Sequence, residues 1–252
     1  MMKKTIRTII QTGLMVATVA VTPVASTFAI EASPSPTPAA TKTPSSNARL
    51  SLIISKGDQE IERRLAKLNK LSERISSALK LTASDKATLT KQVTDEIAGL
   101  TALKAKLAAE TTVAGASADA KQIVTDYRVY ALIVPKVALV RVSNDQQLVE
   151  QKLTIAIQKL QSKVTAAKDA GNDVAALQAK LDDASAKVQA AVTLSTGVQK
   201  KVINLQPSDY NSDHAILVGT RAQLLTARTN NTTALSDIKF VNGGLKQLAS
   251  QQ

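Results

Sequence analysis

Apolar side chains recur at alternating spacings of three and four residues along most of the chain, which is the period of an amphipathic α-helix. The pattern predicts helices over 49–81, 83–110, 135–169, 173–202 and 208–248. The connections after 81 and after 169 are so short that the helices they join should be antiparallel neighbours. We therefore predict an all-α fold of elongated antiparallel helical hairpins, resembling a coiled-coil bundle.

The apolar positions of the first two predicted helices follow a seam that should face inward. In the first helix these positions are Ile61, Leu65, Leu68, Ile75 and Leu79, and in the second they are Leu89, Val93, Ile97, Leu100 and Leu107. Similar seams run through 153–167 and 174–191, on either side of the turn Ala170–Asp173. Heptad seams of this kind can pair within one chain or between chains, so self-association is also open.

The segment 127–142 is the most apolar part of the chain after residue 48, and its conformation is the hardest to predict. Its β-branched residues favour a strand, whereas Pro135 argues against a central strand. Because no partner strand is evident, we predict an extended crossover to Val134 and a helix from Pro135. Tyr127, Arg128 and Tyr130 could form a contact surface, although a plug in the core is the favoured interpretation.

The first 48 residues have the order of an export signal. Lys3, Lys4 and Arg7 precede a mostly apolar run over 8–29 that ends in small residues. This layout is typical of a secretory signal peptide over 1–29, with retention as an N-terminal membrane anchor as the alternative. A Pro/Ser/Thr-rich segment over 30–48 then predicts a disordered linker.

The chain is therefore predicted to be exported, in the extracellular space or attached to the cell envelope. Its remaining residues divide into a helical hairpin over 49–112 and a bundle over 113–252, which contains the hairpin 135–202 and the helix 208–248. Because the chain contains no Cys, disulfides, thiolate metal sites and Cys nucleophiles are excluded. Aromatic residues make up only 2% of the chain, which argues mildly against a small-molecule pocket.

Positive charge is the most suggestive chemical feature. The chain has 32 basic and 20 acidic residues, a formal net charge of +12. Within 49–81, Arg63, Lys67, Lys70 and Arg74 are spaced by four, three and four residues and so form a basic stripe on one helix face. The stripe could bind a polyanion such as a wall polymer or anionic lipid headgroups, or it could be an ordinary solvated face. Nucleic acid is the weakest candidate, because the stripe lacks aromatic residues for base stacking.

Catalytic and metal-binding patterns are scarce. Asp209 and Asp213 share a helix face beside His214, the only histidine, and are weak candidates for a cation site. The better interpretation is that they cap a helix N-terminus. Asp182 and Asp183 are adjacent on a polar helix face and are better explained as solvated than as a catalytic pair. No phosphate-binding loop, dinucleotide motif or metalloprotease motif is present, so no cofactor is predicted.

Two segments carry a resemblance. The residues 126–136, Asp-Tyr-Arg-Val-Tyr-Ala-Leu-Ile-Val-Pro-Lys, together with 207–214, Pro-Ser-Asp-Tyr-Asn-Ser-Asp-His, resemble uncharacterised exported helical proteins of bacteria. This resemblance covers most of the chain after the predicted signal peptide and implies no activity, cofactor or site residues.

The sequence thus predicts an exported, non-enzymatic helical protein that interacts with a partner in the cell envelope or outside the cell. That partner would be an envelope polymer or a protein, and membrane attachment would occur through residues 1–29 if they are retained. One alternative is a polyanion-binding or wall-polymer-binding module that uses the basic stripe. A second is an enzyme of unknown class.

Overall fold

The computed structural model describes residues 45–250, and in this part of the chain only helices and turns occur. The predicted all-α class is therefore confirmed. The elements in chain order are α1 (Ser46–Ser76), α2 (Ala83–Ala108), α3 (Val113–Thr125), a π-helical turn (Val129–Ile133), α4 (Val134–Asp169), α5 (Ala175–Ile203), α6 (Pro207–Ser212) and α7 (Thr220–Ala249). The predicted signal peptide 1–29 and residues 30–44 of the predicted linker lie outside the described residues.

Helices α1, α2 and α3 pack together as a first bundle. Lys104 near the end of α2 lies 3.3 Å from the carboxylate of Asp58 in the first half of α1, while Lys86 near the start of α2 donates to the Ser76 carbonyl at the end of α1. These pairs show that α1 and α2 run antiparallel. The inward prediction is confirmed for Ile61, Leu68 and the other seam residues that are almost fully buried: Ile75, Leu89, Val93, Leu100 and Leu107.

Helices α4, α5 and α7 form a second bundle. Gln161 and Gln178 exchange side-chain hydrogen bonds across α4 and α5, and Lys180 on α5 lies 2.9 Å from Asp237 on α7. The core of this bundle is lined by a run of Leu, Val and Ala side chains, which includes Leu160, Leu181 and Ala184.

The two bundles share α4 and α5, because each helix contributes to both cores. Val137 and Val140 at the start of α4 and Val198 at the end of α5 belong to the first core, whereas Leu160 and Leu181 belong to the second. Residues Thr43–Gln252 form a compact unit. A unit of about 200 residues with two cores is large enough to fold by itself. No described helix is long and apolar enough to cross a bilayer.

The ends of the first helix differ from the prediction. Ser45 caps α1 by accepting a hydrogen bond from the Ala48 amide, so the last three residues of the predicted linker are helical. The helix ends at Ser76 rather than at 81. Residues 77–82 form the connection to α2, and Leu79, which we placed in the inward seam, is 97% exposed. The heptad pattern continued past the point where the backbone leaves the helix, so that prediction was wrong.

The predicted extended crossover before Pro135 is also wrong, because the backbone there is a π-helical turn. The amides of Ile133 and Val134 donate to carbonyls five residues earlier, and this turn runs directly into α4. Val129 and Ile133 are buried in the first core, so tertiary burial outweighs their strand preference. Arg128, with a φ of 40°, lies in the left-handed region and separates this turn from α3.

The single C-terminal helix predicted over 208–248 is interrupted after α6. Asp213 accepts a hydrogen bond from the Ala215 amide, and Gly219 takes a left-handed φ of 82° before α7 begins. The polar residues 230–233 and the two glycines at 243–244 lie inside a continuous α7. Gly244 permits close packing there, because a Cβ atom at this position would collide with the Leu177 side chain.

Candidate functional site

The basic stripe lies on α1, where Arg63, Lys70 and Arg74 are exposed and Lys67 is half-buried. Arg63 forms an ion pair with Glu60 one turn earlier. Among residues 45–250, no carboxylate lies within 4.0 Å of the charged groups of the other three side chains. The positive charge of the C-terminal part of the stripe, from Lys67 to Arg74, is therefore not neutralised by an ion pair.

The acidic residues of α1 that precede the stripe are engaged elsewhere. Burial raises the pKa of Glu60, but its hydrogen bonds and charge interactions with Arg64 and Arg63 outweigh this and hold the pKa below its usual value. Asp58 and Glu62 both pair with Lys104 of α2. These three carboxylates thus pair with cations in the middle of α1 or on α2, and the unpaired cations of the stripe lie towards the C-terminal end of α1.

Arg64 is a cation that does not belong to the stripe, although it is adjacent to Arg63 in sequence. Its side chain is buried, pairs with Glu60 and lies 5.3 Å from the centre of the Tyr130 ring. The Tyr130 hydroxyl donates to the Arg63 carbonyl at 3.3 Å. Tyr127 packs against the first core, as the core-plug interpretation predicts. Tyr130 is 46% exposed and connects the π-helical turn to α1 at the surface, so for this residue the core-plug interpretation is wrong.

Three neighbouring clefts open beside the C-terminal end of α1. The smallest, about 90 Å³, has an apolar wall that includes Leu71 and Val137 and is flanked by Arg74 and Arg141. A second cleft of about 470 Å³ shares both arginines and adds Leu79, Lys80 and Asp145. The third, about 510 Å³, shares Lys80 and Asp145 and extends along α4 and α7. Because each cleft shares side chains with the next, they form one continuous depression.

The connection between α1 and α2 is fastened to α4 at this depression. The Thr82 amide donates to Asn144 Oδ1 at 2.9 Å, and Asn144 Nδ2 donates to Asp85 Oδ2 at 2.7 Å. Gln199 of α5 donates to the other oxygen of Asp85 at 2.8 Å. This network joins α2, α4 and α5 at the boundary between the two cores, and it holds residues 77–82 in a defined position.

The weak cation-site candidates have local structural roles. Asp209 accepts a hydrogen bond from the Gln206 amide at 2.8 Å and completes a capping box on α6, and Asp213 caps the following turn. The His214 ring packs edge-on against Tyr210, with 5.1 Å between ring centres. Within residues 45–250, no group of three or more metal-ligating side chains is arranged to hold a metal ion. Asp182 and Asp183 are exposed, as expected for a solvated face.

A buried amine and a half-buried carboxylate lie together in the first bundle. Lys136 Nζ donates to Gln92 Oε1 at 2.9 Å and to the Leu205 carbonyl. Burial lowers the pKa of Lys136 to about 8, against the opposing charges of Glu96 and Asp209. Burial raises the pKa of Glu96 to about 7, partly offset by the charge of Lys136. Such values suit proton transfer, but Lys136 is 1% exposed and neither side chain lines the clefts described above, so we assign the pair a structural role.

The second bundle contains a buried carboxylate without a nearby cation. Glu150 Oε2 accepts from Ser195 Oγ at 2.8 Å, and Glu150 Oε1 accepts from Asn231 Nδ2 at 3.4 Å. Burial raises the pKa of Glu150, and these hydrogen bonds offset part of that increase. Glu150 also lines an open groove of about 520 Å³ between α4 and α5, whose wall is mostly Gln and Thr side chains.

The sequence identified the stripe but not the cations that lie beside it in space. Arg141 and Arg228 come from α4 and α7, and they reach the depression only because those helices pack behind the connection between α1 and α2. No spacing rule links residues this far apart in the chain. Comparison of the chain with protein-family models, with curated proteins and with solved structures finds no match, so the candidate surface rests on its own geometry.

Proposed function

We propose that this is an exported, non-enzymatic helical protein that works by presenting a rigid charged surface to a partner in the cell envelope. In this proposal residues 1–29 act as a cleaved signal peptide and residues 30–44 serve as a spacer. The helical pairs behave as coiled-coil-like hairpins that supply length and stiffness. The observation that carries the proposal is the run of unpaired cations on α1, a helix of 31 residues, in which Lys70 and Arg74 are exposed and Lys67 is half-buried.

A polyanionic envelope polymer is the partner class that best fits this surface. Lys67, Lys70 and Arg74 follow one face over about two turns of helix, so their charges would meet successive negative groups of an extended chain. Attraction of this kind raises the rate of encounter and is weakened by salt.

The test is a pulldown of residues 43–252 on purified anionic wall polymer and on whole envelopes over a salt series. We expect binding that falls steeply with salt and that is lost in the double variant Lys67→Glu, Lys70→Glu. A matched control is Lys159→Glu, Lys163→Glu, which reverses two exposed cations on α4 at comparable spacing. Equal losses in both variants would contradict a specific role for the stripe, since they would show that only net charge matters.

Export requires its own experiment with the full chain. We expect the protein in the exported fraction of a bacterial host, and intact-mass measurement should show a new N-terminus close to Ile30. A full-length mass in the membrane fraction would favour the anchor alternative. Retention in the cytoplasm would contradict the proposal.

A further inference from the structure

The depression beside the connection between α1 and α2 has features that the stripe lacks. We call it the docking face and define it by the exposed cationic and apolar side chains that line its clefts: Arg74, Leu79, Lys80, Arg141, Val142, Val149, Arg228 and Leu235. It shares only Arg74 with the stripe. Its cations come from four parts of the chain, namely α1, the connection, α4 and α7, and all surround exposed apolar groups.

Leu79 is the most unusual residue of the docking face. An isolated, almost fully exposed Leu is by itself unremarkable. Here it is followed directly by Lys80 and lies in the same cleft as Arg74 and Arg141. The hydrogen bonds of Asn144 to Thr82 and Asp85 fix the connection on α4, so Leu79 is held outward by a tethered turn.

The charge of the docking face is strongly positive. It has four cations, whereas Asp145 is the one carboxylate that lines these clefts, and it lies 3.8 Å from Lys80. Apolar side chains continue away from Leu79 along α4 and α7, where Val149 and Leu235 are both more than 40% exposed. Cations that lie next to exposed apolar side chains complement a surface that has anionic groups on its outside and an apolar phase directly below them.

We propose that the docking face binds peripherally to an anionic phospholipid bilayer, with Leu79 entering the interface and the surrounding cations meeting the headgroup phosphates. A soluble polyanion satisfies the cations but offers no apolar phase to receive Leu79, which is why the bilayer fits better. This inference goes beyond the proposed function, and it does not depend on Lys67 and Lys70 of the stripe or on binding to wall polymer.

Vesicle flotation with residues 43–252 tests the inference, because this region lacks the apolar run over 8–29 that would itself enter a bilayer. Vesicles of phosphatidylcholine are compared with vesicles in which about one third of the lipid is phosphatidylglycerol. We expect binding only to the anionic vesicles, strongest at low salt and much reduced at about 0.5 M salt, where charges are screened within a few ångströms.

Leu79→Ser isolates the apolar contribution. Because Leu79 is almost fully exposed, the variant should fold normally, and circular dichroism verifies this. We expect about a tenfold loss of affinity for anionic vesicles, in line with removing a buried leucine side chain from an apolar phase. The control is Leu52→Ser, which is half exposed near the start of α1 and about 36 Å from the C-terminal end of that helix. It should bind as the unmodified protein does.

Arg141→Glu with Arg228→Glu isolates the charge contribution without touching the stripe. Each basic residue close to an anionic surface contributes about a fivefold gain in affinity, so two reversals should cost at least 25-fold. The control is again Lys159→Glu, Lys163→Glu. Binding to wall polymer, measured in parallel, should be unaffected by Leu79→Ser.

Three outcomes would overturn the inference. The first is no binding to anionic vesicles at low salt, which would leave the wall-polymer proposal intact. The second is vesicle binding that Leu79→Ser does not weaken, which would show a purely electrostatic, polyanion-type contact. The third is vesicle binding lost in Lys67→Glu, Lys70→Glu but retained in Arg141→Glu, Arg228→Glu, which would assign the contact to the stripe.

Discussion

The two bundles handle buried ionisable groups in different ways. In the first, the ammonium of Lys136 and the carboxylate of Glu96 lie close enough for each charge to oppose the desolvation shift in the other's pKa. In the second, Glu150 is surrounded by the neutral donors Ser195 and Asn231. A buried charge must be compensated, and either a counter-charge or hydrogen-bond donors can serve. Lys136 and Glu150 both lie buried on α4, so one helix carries two ionisable groups that are compensated by different chemistry.

The largest expected effect comes from truncating an apolar side chain in either core. Leu68→Ala in the first core and Leu181→Ala in the second should each lower the free energy of unfolding by about 3 kcal/mol, because both residues are almost fully buried. Since α4 and α5 run through both cores, each variant should still unfold in a single transition. The measurement is urea denaturation followed by far-UV circular dichroism, which reports the helix content of both bundles together.

Tyrosine fluorescence provides the second probe for this experiment. Tyr127 and Tyr210 pack against the first core, and Tyr130 contacts α1, so the signal reports the first bundle. In Leu181→Ala the fluorescence midpoint should move together with the circular dichroism midpoint. A fluorescence midpoint that stays at the unmodified value would show that the two bundles unfold independently.

Substitutions at the boundary between the two bundles should have the next largest effect on the free energy of unfolding. Asn144→Leu removes the acceptor for the Thr82 amide and one donor to Asp85, which is 5% exposed. Leaving buried polar groups without partners should cost about 2–3 kcal/mol in the free energy of unfolding. Asn242→Leu, an exposed asparagine on α7, should change it by less than about 0.5 kcal/mol. Equal effects of the two substitutions would contradict the structural role of this network.

The buried pair of Glu96 and Lys136 makes the free energy of unfolding depend on pH, and we expect a smaller effect from Glu150. The pKa of Glu96 is raised to about 7 in the folded state, so the folded protein binds this proton more tightly than the unfolded chain. Stability is therefore lost as the pH rises from about 4.5 to about 7. For Lys136, whose folded pKa is lowered to about 8, stability increases as the pH rises above 8.

Glu96→Gln removes the first of these two effects. Relative to the unmodified protein, the variant should gain about 1–2 kcal/mol between pH 5 and pH 7.5, a value reduced from the full linkage energy because Glu96 is only half-buried. Glu150→Gln should gain less, because the ionised Glu150 is already hydrogen-bonded by two donors. The test is to measure urea denaturation midpoints across this pH range. If the midpoints of Glu96→Gln and of the unmodified protein change with pH in the same way, the pH dependence does not come from Glu96.

Sequence periodicity predicted the helices and much of the core, since burial of an apolar stripe is a local property that spacing reveals. It placed Ile61, Leu68 and Leu181 correctly. It could not find Lys136 or Glu150, because a polar residue at an inward position reads as a surface residue until its partners from other helices are known. The docking face was missed for the same reason, whereas the stripe was visible because its members lie on one helix.

The smallest expected effects concern two of the left-handed positions, Arg128 before the π-helical turn and Gly171 between α4 and α5. Gly171→Ala should cost about 1 kcal/mol, all of it from the backbone, since an added Cβ meets nothing within 4 Å. Arg128→Gly relieves similar strain but removes a hydrogen bond of 2.6 Å to Asn211 and a contact 5.4 Å from the Tyr210 ring.

These gains and losses at position 128 should nearly cancel, so that Arg128→Gly changes the free energy of unfolding by less than about 0.5 kcal/mol. Arg128→Ala loses the same contacts yet keeps the strained backbone, and it should be less stable than Arg128→Gly by about 1 kcal/mol. Urea denaturation of the two variants thus separates the cost of the strained backbone from the loss of the side-chain contacts. Equal stabilities would mean that the left-handed backbone at 128 costs nothing, and that the strain argument holds for Gly171 alone.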